Sequence, residues 1–563
     1  MSLKKEPIIV GINRTQDASI TIFQGRHHYG SIHKERITHI KHDWGKLKDL
    51  ELYKKVFPIL NQPIDLIVEC FSSDQEAENE ELYIQEIAET FKVSDNYRRI
   101  HISHHLAHLY SAFPVSQFNS SAAMVIDFQG SMTKDILEDF PEAKSKKGVE
   151  VASYYSLVEN EITCIQKHIW NEDRNIPEGL GTFYNMLSKC FYSGDGKEGK
   201  VMGLSSYGNP TLKLPDLDVI DGKVYIGEQW IEIFRDASTY KFSAQHKSFQ
   251  EKANLAATGQ LKFQEALLKV AQWLKETSNE ENLCYAGGCA LNVTANSLIK
   301  KSSNFKNVYI PPAPNDGGTS IGCALYGLHN VFKTTSNFLW KEDYLGPVYS
   351  TSEIKKTLAR YTDIQITEPT NIAEQCAELL RAGNIMAIFQ QGSEFGPRAL
   401  GNRSILADPR YMITKFWINQ LIKGREWYRP IAPMVLEEDV QEYFDTAHPS
   451  PFMLYTAQIK SAYQGKLEAI AHIDNSARVQ TVNSDSNPLI HQILKEFKKA
   501  SGISVICNTS FNLKGDTIVE TPAEAIESFL KKPIHFLIMP PYIIEKKNPP
   551  ENPLLLSDLH YHA

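Results

Sequence analysis

PIIVGINRTQDASITIF, residues 7–23, sets the reading of the whole chain. PIIVGIN (7–13) and ASITIF (18–23) look like two strands joined by a tight polar connection, with Gln24-Gly25 as the next turn. Working outward, further strands are expected at 65–70, 122–128, 151–158 and 282–288. Between them, apolar residues recur at three and four over 80–91, 103–114, 178–192 and 260–278, the spacing of helices. Alternating strands and helices imply an α/β architecture with mixed sheets. No internal sequence repeat is evident.

With 563 residues the chain is too long for one core. Apolar periodicity gives way to polar turn residues over 333–352, which places a domain boundary near residue 343, separating 1–343 from 344–563. Beyond it a helix (NIAEQCAELLRAG), a strand (NIMAIFQ) and a Gly/Arg-rich loop follow, and PPYIIEKKNPPENP (540–553) reads as an extended tail over the surface. A net charge of −8 weighs against a general nucleic-acid binder, so any cationic cluster needs a local explanation. The eight cysteines are scattered without a CxxC pair, as in a reduced cytoplasmic protein, and neither a leader nor a membrane span is expected.

HISHHLAHLYSAF (101–113) holds four histidines. On a helix, His104 and His108 project from one face and can share a metal ion. Asp127, where an apolar strand meets FQG, and Asp316, before Gly317-Gly318, are candidate oxygen ligands; iron, zinc and manganese all suit such a set. Glycine turns at 178–185, 193–208, 285–292 and 315–320 resemble a nucleotide cradle, with Gly287, Gly288, Gly317 and Gly318 allowing close approach, Lys200 for phosphate and Asn292 for the nucleoside. In the second half, Arg398, Arg403, Lys423, Arg425, Arg429, Arg478 and Lys514 lie on turn-like segments, a pattern expected of a pocket for a compact dianion.

GINRTQDAS, HHLAH, VMGLSSYG, GGCALN, PNDGG, FGPRALGNRSI, REWYRPIAP and NTSFN, in this order, resemble the carbamoyltransferase family of the nodulation protein NodU and the tobramycin carbamoyltransferase. The resemblance implies an actin/Hsp70-like (ASKHA) ATPase-type domain followed by a YrdC-like α/β domain. It further implies that carbamoyl phosphate and ATP, with Mg2+, give carbamoyl-adenylate, whose carbamoyl group passes to a small-molecule or sugar acceptor. Carried over by motif, His104, His108, Asp127 and Asp316 would hold the ion, ferrous iron above all. Arg398, Lys423, Arg429, Arg478 and Lys514 would grip carbamoyl phosphate, with Asn508 nearby. No nucleic acid or membrane partner is implied, and a homodimer would be unsurprising. A tRNA threonylcarbamoyl-type transferase and a regulatory homologue that has lost transfer are the competing readings.

One motif departs from the family. Members usually read HDAS where this chain has Gln16-Asp17-Ala18-Ser19, and the usual histidine is a candidate base for the acceptor hydroxyl. Three explanations stay open: another group such as His33, His39 or Asp17 is the base; the acceptor is an amine needing little activation; or Gln16 is a substitution that traps the intermediate.

Overall fold

The computed structural model describes residues 6–71, 80–140, 147–158, 161–173, 175–194, 196–238, 248–446 and 448–556. The chain forms two compact units: Met1–Thr38 with His42–Trp340, and Lys341–Ala563 with the short segment His39–Lys41.

In the first unit β1 (Ile8–Asn13), β2 (Ser19–Gln24) and β3 (His27–His33) make an antiparallel meander, and β4 (Ile64–Cys70) and β5 (Val93–His101) extend it in parallel beside β1, giving the order β3-β2-β1-β4-β5. Its second sheet repeats the plan. There β6 (Ser120–Ile126), β7 (Val149–Val158) and β8 (Glu161–Trp170) are the meander. After a small hairpin of β9 (Asp218–Ile220) and β10 (Lys223–Tyr225), β11 (Asn282–Ala286) and β12 (Asn307–Tyr309) add in parallel beside β6, in the order β12-β11-β6-β7-β8. This duplicated topology is that of an actin/Hsp70-like domain. Sequence periodicity missed β3, β5 and β8, which carry charged or histidine side chains over much of their length; β5 is exposed or half-buried throughout.

Two helices seat the ligand-bearing loops. Helix His104–Ala112 follows β5, and helix Thr319–Tyr326 packs on β1. Both contacts are made through glycine: a Cβ on Gly11 would lie 2.0 Å from the Ser320 carbonyl oxygen, and one on Gly322 would lie 1.8 Å from that of Ala107. A ladder of hydroxyls fixes the second helix to the first sheet, with Ser19 Oγ donating to the Gly317 carbonyl at 2.7 Å and Ser320 Oγ 2.9 Å from both Ser19 and Thr21. The helix expected at 260–278 is longer, Phe249–Ser278, because Ser248 and Glu251 form a capping box upstream of the apolar repeat.

The second unit is a mixed eight-stranded sheet ordered β13-β22-β21-β14-β15-β20-β16-β19. Its strands are β13 (Ile364–Thr367), β14 (Met386–Phe389), β15 (Arg403–Ala407), β16 (Ala432–Leu436), β19 (Gln480–Val482), β20 (Val505–Ser510), β21 (Phe536–Met539) and β22 (Tyr542–Lys546), with β17 (Thr456–Gln458) and β18 (Ser476–Arg478) paired apart. Helices Ile372–Arg381 and Pro488–Ser501 bury Leu380, Ile493 and Phe497 in one continuous core with β14, β15 and β20. The reading of 540–553 as a surface tail is corrected here. Residues 542–546 are a strand between β21 and β13, and Ile543 and Ile544 are core residues, so two buried isoleucines override the proline-rich flanks.

Gly322→Ala is expected to destabilise the first unit by ~1–3 kcal/mol or more, because the new methyl cannot be accommodated without parting two helix backbones. Urea unfolding followed by circular dichroism measures it; an unchanged midpoint would show that the helices separate without cost.

Candidate functional site

Helix His104–Ala112 owes its position to its first turn. Ser103 caps it, accepting from the Leu106 N–H, while the His104 N–H donates to Ser131 Oγ at 2.9 Å and the His105 N–H to Glu150 Oε1 at 3.0 Å. Glu150 is wholly buried and paired with an equally buried Lys167, whose Nζ lies 2.7 Å from it and donates to Ser153 Oγ (2.9 Å) and Tyr155 Oη (3.1 Å). Burial disfavours the charge on Lys167, but Glu150 outweighs it and holds the ammonium well above its usual pKa.

Of the four histidines one ends β5, and the three on the helix divide by its phase. His105 turns into this network, 2.8 Å from Ser153 Oγ, and burial followed by the Lys167 charge keeps it neutral. His101 faces Glu69 and Glu80 at 3.6 and 3.5 Å. His104 and His108, one turn apart and fully buried, point the same way with their Nε2 atoms 3.1 Å apart. Asp127 Oδ2 lies 3.4 Å from His104 Nε2 and 3.1 Å from His108 Nε2, and Asp316 Oδ1 lies 3.6 and 3.9 Å from the same atoms. All four ligand atoms fall within 4.8 Å of one another. Two imidazole nitrogens facing each other beside two carboxylates are held together only by a shared positive species, so this donor set fits a divalent cation. Burial opposes charging His104, yet Asp316 and Asp127 raise its pKa well above the ordinary value, a further sign that the pocket favours positive charge.

The glycine turns lie against these ligands. A Cβ on Gly288 would sit 3.0 Å from Asp127 Oδ1, and Gly287, at φ +94°, passes 2.3 Å under the Ile126 carbonyl by the same measure. Gly317 and Gly318 follow Asp316 directly, and a Cβ on Gly317 would strike the His33 ring at 2.1 Å. Asn292 is spent otherwise than expected. It caps helix Val293–Ser302 and exchanges amide hydrogen bonds with Gln260, both at 3.1 Å. Lys200 lies on helix Glu198–Ser205 with Nζ 5.1 Å from the Tyr192 ring centre.

Gln16 and Asp17 form the turn between β1 and β2. Asn13 Nδ2 holds the carbonyls of Gln16 and Asp17 at 3.1 Å each and that of Asp316 at 3.0 Å, and Thr15 Oγ1 donates to Asp316 Oδ2 at 3.1 Å. The Asp17 carboxylate meets His42 Nδ1 at 2.8 Å and Asn315 Nδ2 at 2.7 Å. Of the bases expected, His33 is buried and pushed down to about 4 by that burial, and His39 faces Glu524 at 3.7 Å.

In the second unit the loop 392–402 is wound around buried Glu394, whose Oε1 accepts from the N–H groups of Leu400 (2.6 Å) and Asn402 (2.8 Å). This presents Arg398 to Arg425, Arg429 and Arg478. Arg398 is pushed down to about 10 and Arg425 to about 9, by burial and then by Arg429; Arg478 falls well below its usual value through burial and then Arg398. Arg398 Nε, Arg425 Nη2 and Arg478 Nε are buried donors without a hydrogen-bond partner. Asn508 Nδ2 ties this loop to β20 through the Ala399 carbonyl at 2.8 Å, leaving its own Oδ1 unpartnered.

Lys423 and Arg403 are held by the protein itself. Lys423 Nζ is surrounded by Ser510 O (2.7 Å), Ser510 Oγ (3.2 Å), Asn512 O (3.0 Å) and Asn512 Oδ1. Arg403 is fully buried, donating to the Gln390 carbonyl at 2.7 Å and stacking 3.6 Å over Phe389. Lys514 is exposed beside Gly424. No local pattern singles out Ser131, Glu150, Lys167 or His42, each of which contacts residues remote in the chain.

Two family profiles match the chain, "Carbamoyltransferase N-terminus" over residues 90–325 and "Carbamoyltransferase C-terminus" over 377–546. Nodulation protein NolO of Bradyrhizobium diazoefficiens is 30% identical over 464 residues, covering 79% of this chain and 79% of NolO. Nodulation protein NolNO of Sinorhizobium fredii is 31% identical, and the match spans 79% of this chain but 64% of that protein. Nodulation protein U of the same species is 38% identical over 247 residues, 44% of this chain and 42% of that one. Among solved structures, full-length HypF in its phosphate- and nucleotide-bound form aligns with 57% of this chain and 46% of its own at 16% identity, with a TM-score of 0.35.

Lys167→Met is expected to cost about 3–5 kcal/mol, since it strands the Glu150 carboxylate in the core, and Glu150→Gln on top of it should recover part of the loss. Urea midpoints of the two variants against the parent test this. A single variant as stable as the parent would remove the anchoring role assigned to the pair.

Proposed function

Because the chain belongs to the carbamoyltransferase family of enzymes, we propose that it joins carbamoyl phosphate to ATP and passes the carbamoyl group, by way of carbamoyl-adenylate, to a hydroxyl or amine of a small acceptor. The observation that carries the reading is the group Arg398, Arg425, Arg429 and Arg478. Like charges are crowded there at a cost large enough to depress their pKa values, and three of their N–H donors are left without partners. Such a group is stable in use only when a multiply charged anion completes it, and guanidinium forks match phosphate oxygens. Carbamoyl phosphate, a compact dianion, fits that description.

Carbamate is a poor electrophile, and adenylation gives its carbonyl carbon a phosphate leaving group. The arginines hold the phosphate end and stabilise charge as it develops there. Asn508 fixes the loop that carries Arg398, and Lys423 fixes Ser510 and Asn512 beside it. In the first unit His104, His108, Asp127 and Asp316 would hold a divalent ion, iron, zinc or manganese, which when bound supplies Lewis-acid stabilisation of phosphate oxygens. The Gly287-Gly288 and Gly317-Gly318 turns leave backbone room for nucleotide phosphates beside Asp127 and Asp316.

Pyrophosphate release from ATP, measured with ferrous ion and no acceptor, should require carbamoyl phosphate. Arg398→Ala should lower it by about 10- to 150-fold, the equivalent of a charged hydrogen-bond contact of ~1.5–3 kcal/mol. Unchanged kinetics in that variant would mean that the anion binds elsewhere. His104→Ala should lose bound metal, by elemental analysis, while its circular dichroism stays that of the parent; retention of stoichiometric metal would refute the ligand assignment.

A further inference from the structure

The Asp17–His42 pair answers the question that Gln16 raises. Both carboxylate oxygens of Asp17 are engaged, one by His42 Nδ1 at 2.8 Å and the other by Asn315 Nδ2 at 2.7 Å. A carboxylate on Nδ1 fixes the imidazole tautomer, leaving the lone pair of the neutral ring on Nε2. Asp17 adopts a left-handed backbone conformation, φ +54°, a region aspartate reaches more readily than most residues and in which it is held here by its surroundings. The enforcing group is Asn13, which grips the Asp17 carbonyl and, through the Asp316 carbonyl, the turn bearing a candidate metal ligand.

What faces Nε2 is a glycine. A Cβ on Gly196, itself at φ +72°, would lie 2.8 Å from that nitrogen, so a side chain there would cover the one atom able to take a proton. The His42 side chain is 43% exposed, open to a small molecule from outside. Asp17 and Glu35 both hold His42, Asp17 through Nδ1 at 2.8 Å and Glu35 by accepting from its backbone N–H at 3.2 Å.

We propose that His42, oriented by Asp17, is the catalytic base of the transfer step, a role that rests on the carbamoyl-adenylate reading above. The acceptor oxygen bonds to the carbamoyl carbon as its proton moves to Nε2. The bond from the carbamoyl carbon to the phosphate-linked oxygen breaks, its electron pair leaving with AMP. The proton on His42 then passes to water, and no redox partner is needed.

The charged and titratable groups around His42 are Asp17 on the β1–β2 turn, His33 at the end of β3, Glu35 just after it, and Lys197. The hydrogen bond from Asp17 dominates and raises His42 to about 9. Raised this far, His42 is about one-hundredth neutral at pH 7, so a step that needs the neutral ring speeds up about tenfold per pH unit until it levels near 9.

The experiment uses the full chain with ATP, carbamoyl phosphate and ferrous ion, methanol as the probe hydroxyl and hydroxylamine as a nucleophile that needs little base. The variants are His42→Asn, whose amide can still donate to Asp17, and His42→Ala. The parent should form methyl carbamate and AMP with the rising pH limb. Both variants should give a burst of about one equivalent of pyrophosphate, then AMP at a rate at least ~100-fold lower with methanol and without the limb. Hydroxylamine should narrow the gap, and added imidazole should partly rescue His42→Ala. Equal AMP rates and pH profiles in parent and His42→Asn would overturn the assignment. A parent that releases no pyrophosphate in response to carbamoyl phosphate would overturn the underlying reading, and with it the base.

Discussion

Everything the first unit does chemically depends on how closely helix His104–Ala112 approaches helix Thr319–Tyr326. The crossing at Gly322 admits no side chain, since a Cβ there would overlap the Ala107 carbonyl. Only at that separation can His104 and His108 come within 4 Å of Asp316, at the N-terminal edge of the other helix. Asp127 arrives by a different route, at the end of β6, the strand in the second sheet that corresponds to β1 in the first. The site therefore draws on both halves of a duplicated fold, and neither half contains it alone.

The two units treat buried charge in opposite ways. Behind the histidines, Lys167 and Glu150 are removed from water but answered by each other, Lys167 also by Glu138, Ser153 and Tyr155, and Glu150 by the backbone N–H groups of His105 and Ser131. Such a pair gives little net stability over an apolar one, but it fixes geometry, because each partner has a steep energetic reason to stay in place. The arginines of the second unit repel one another and keep unpartnered donors. That is the pattern of a binding group, in which the compensating charge comes from outside.

Local features were legible in the sequence. The four-residue spacing of His104 and His108 predicts a shared face because a helix turns by 3.6 residues, and the strand-end and glycine context singled out Asp127 and Asp316. Strands of strong apolar character were found; the polar β5 and mixed β3 and β8 were not, and without them the duplication of the two sheets is invisible. What could not be read locally shares a cause. Lys423, Arg403 and Asn292 are polar residues on glycine-rich segments like the other candidate site residues, yet each finds hydrogen-bond partners inside the protein, and which partners lie within reach is decided by strand pairing far along the chain. Residue 540–553 composition says loop, while the sheet says strand, because burial of Ile543 and Ile544 outweighs local preference.

His42 belongs to the same class of long-range information. It lies 25 residues from Asp17, at no helical or strand spacing, and only the left-handed turn at Asp17 swings the carboxylate toward it. An amide at position 16 cannot accept a proton at neutral pH, but it need not weaken the site if the fixed element is the carboxylate beside it. Asp17 is pinned from two sides, by Asn315 on one oxygen and by Asn13 on its carbonyl, so whichever imidazole reaches its free oxygen inherits orientation and a raised basicity. The base is then defined by its anchor, and its place in the sequence is free to change.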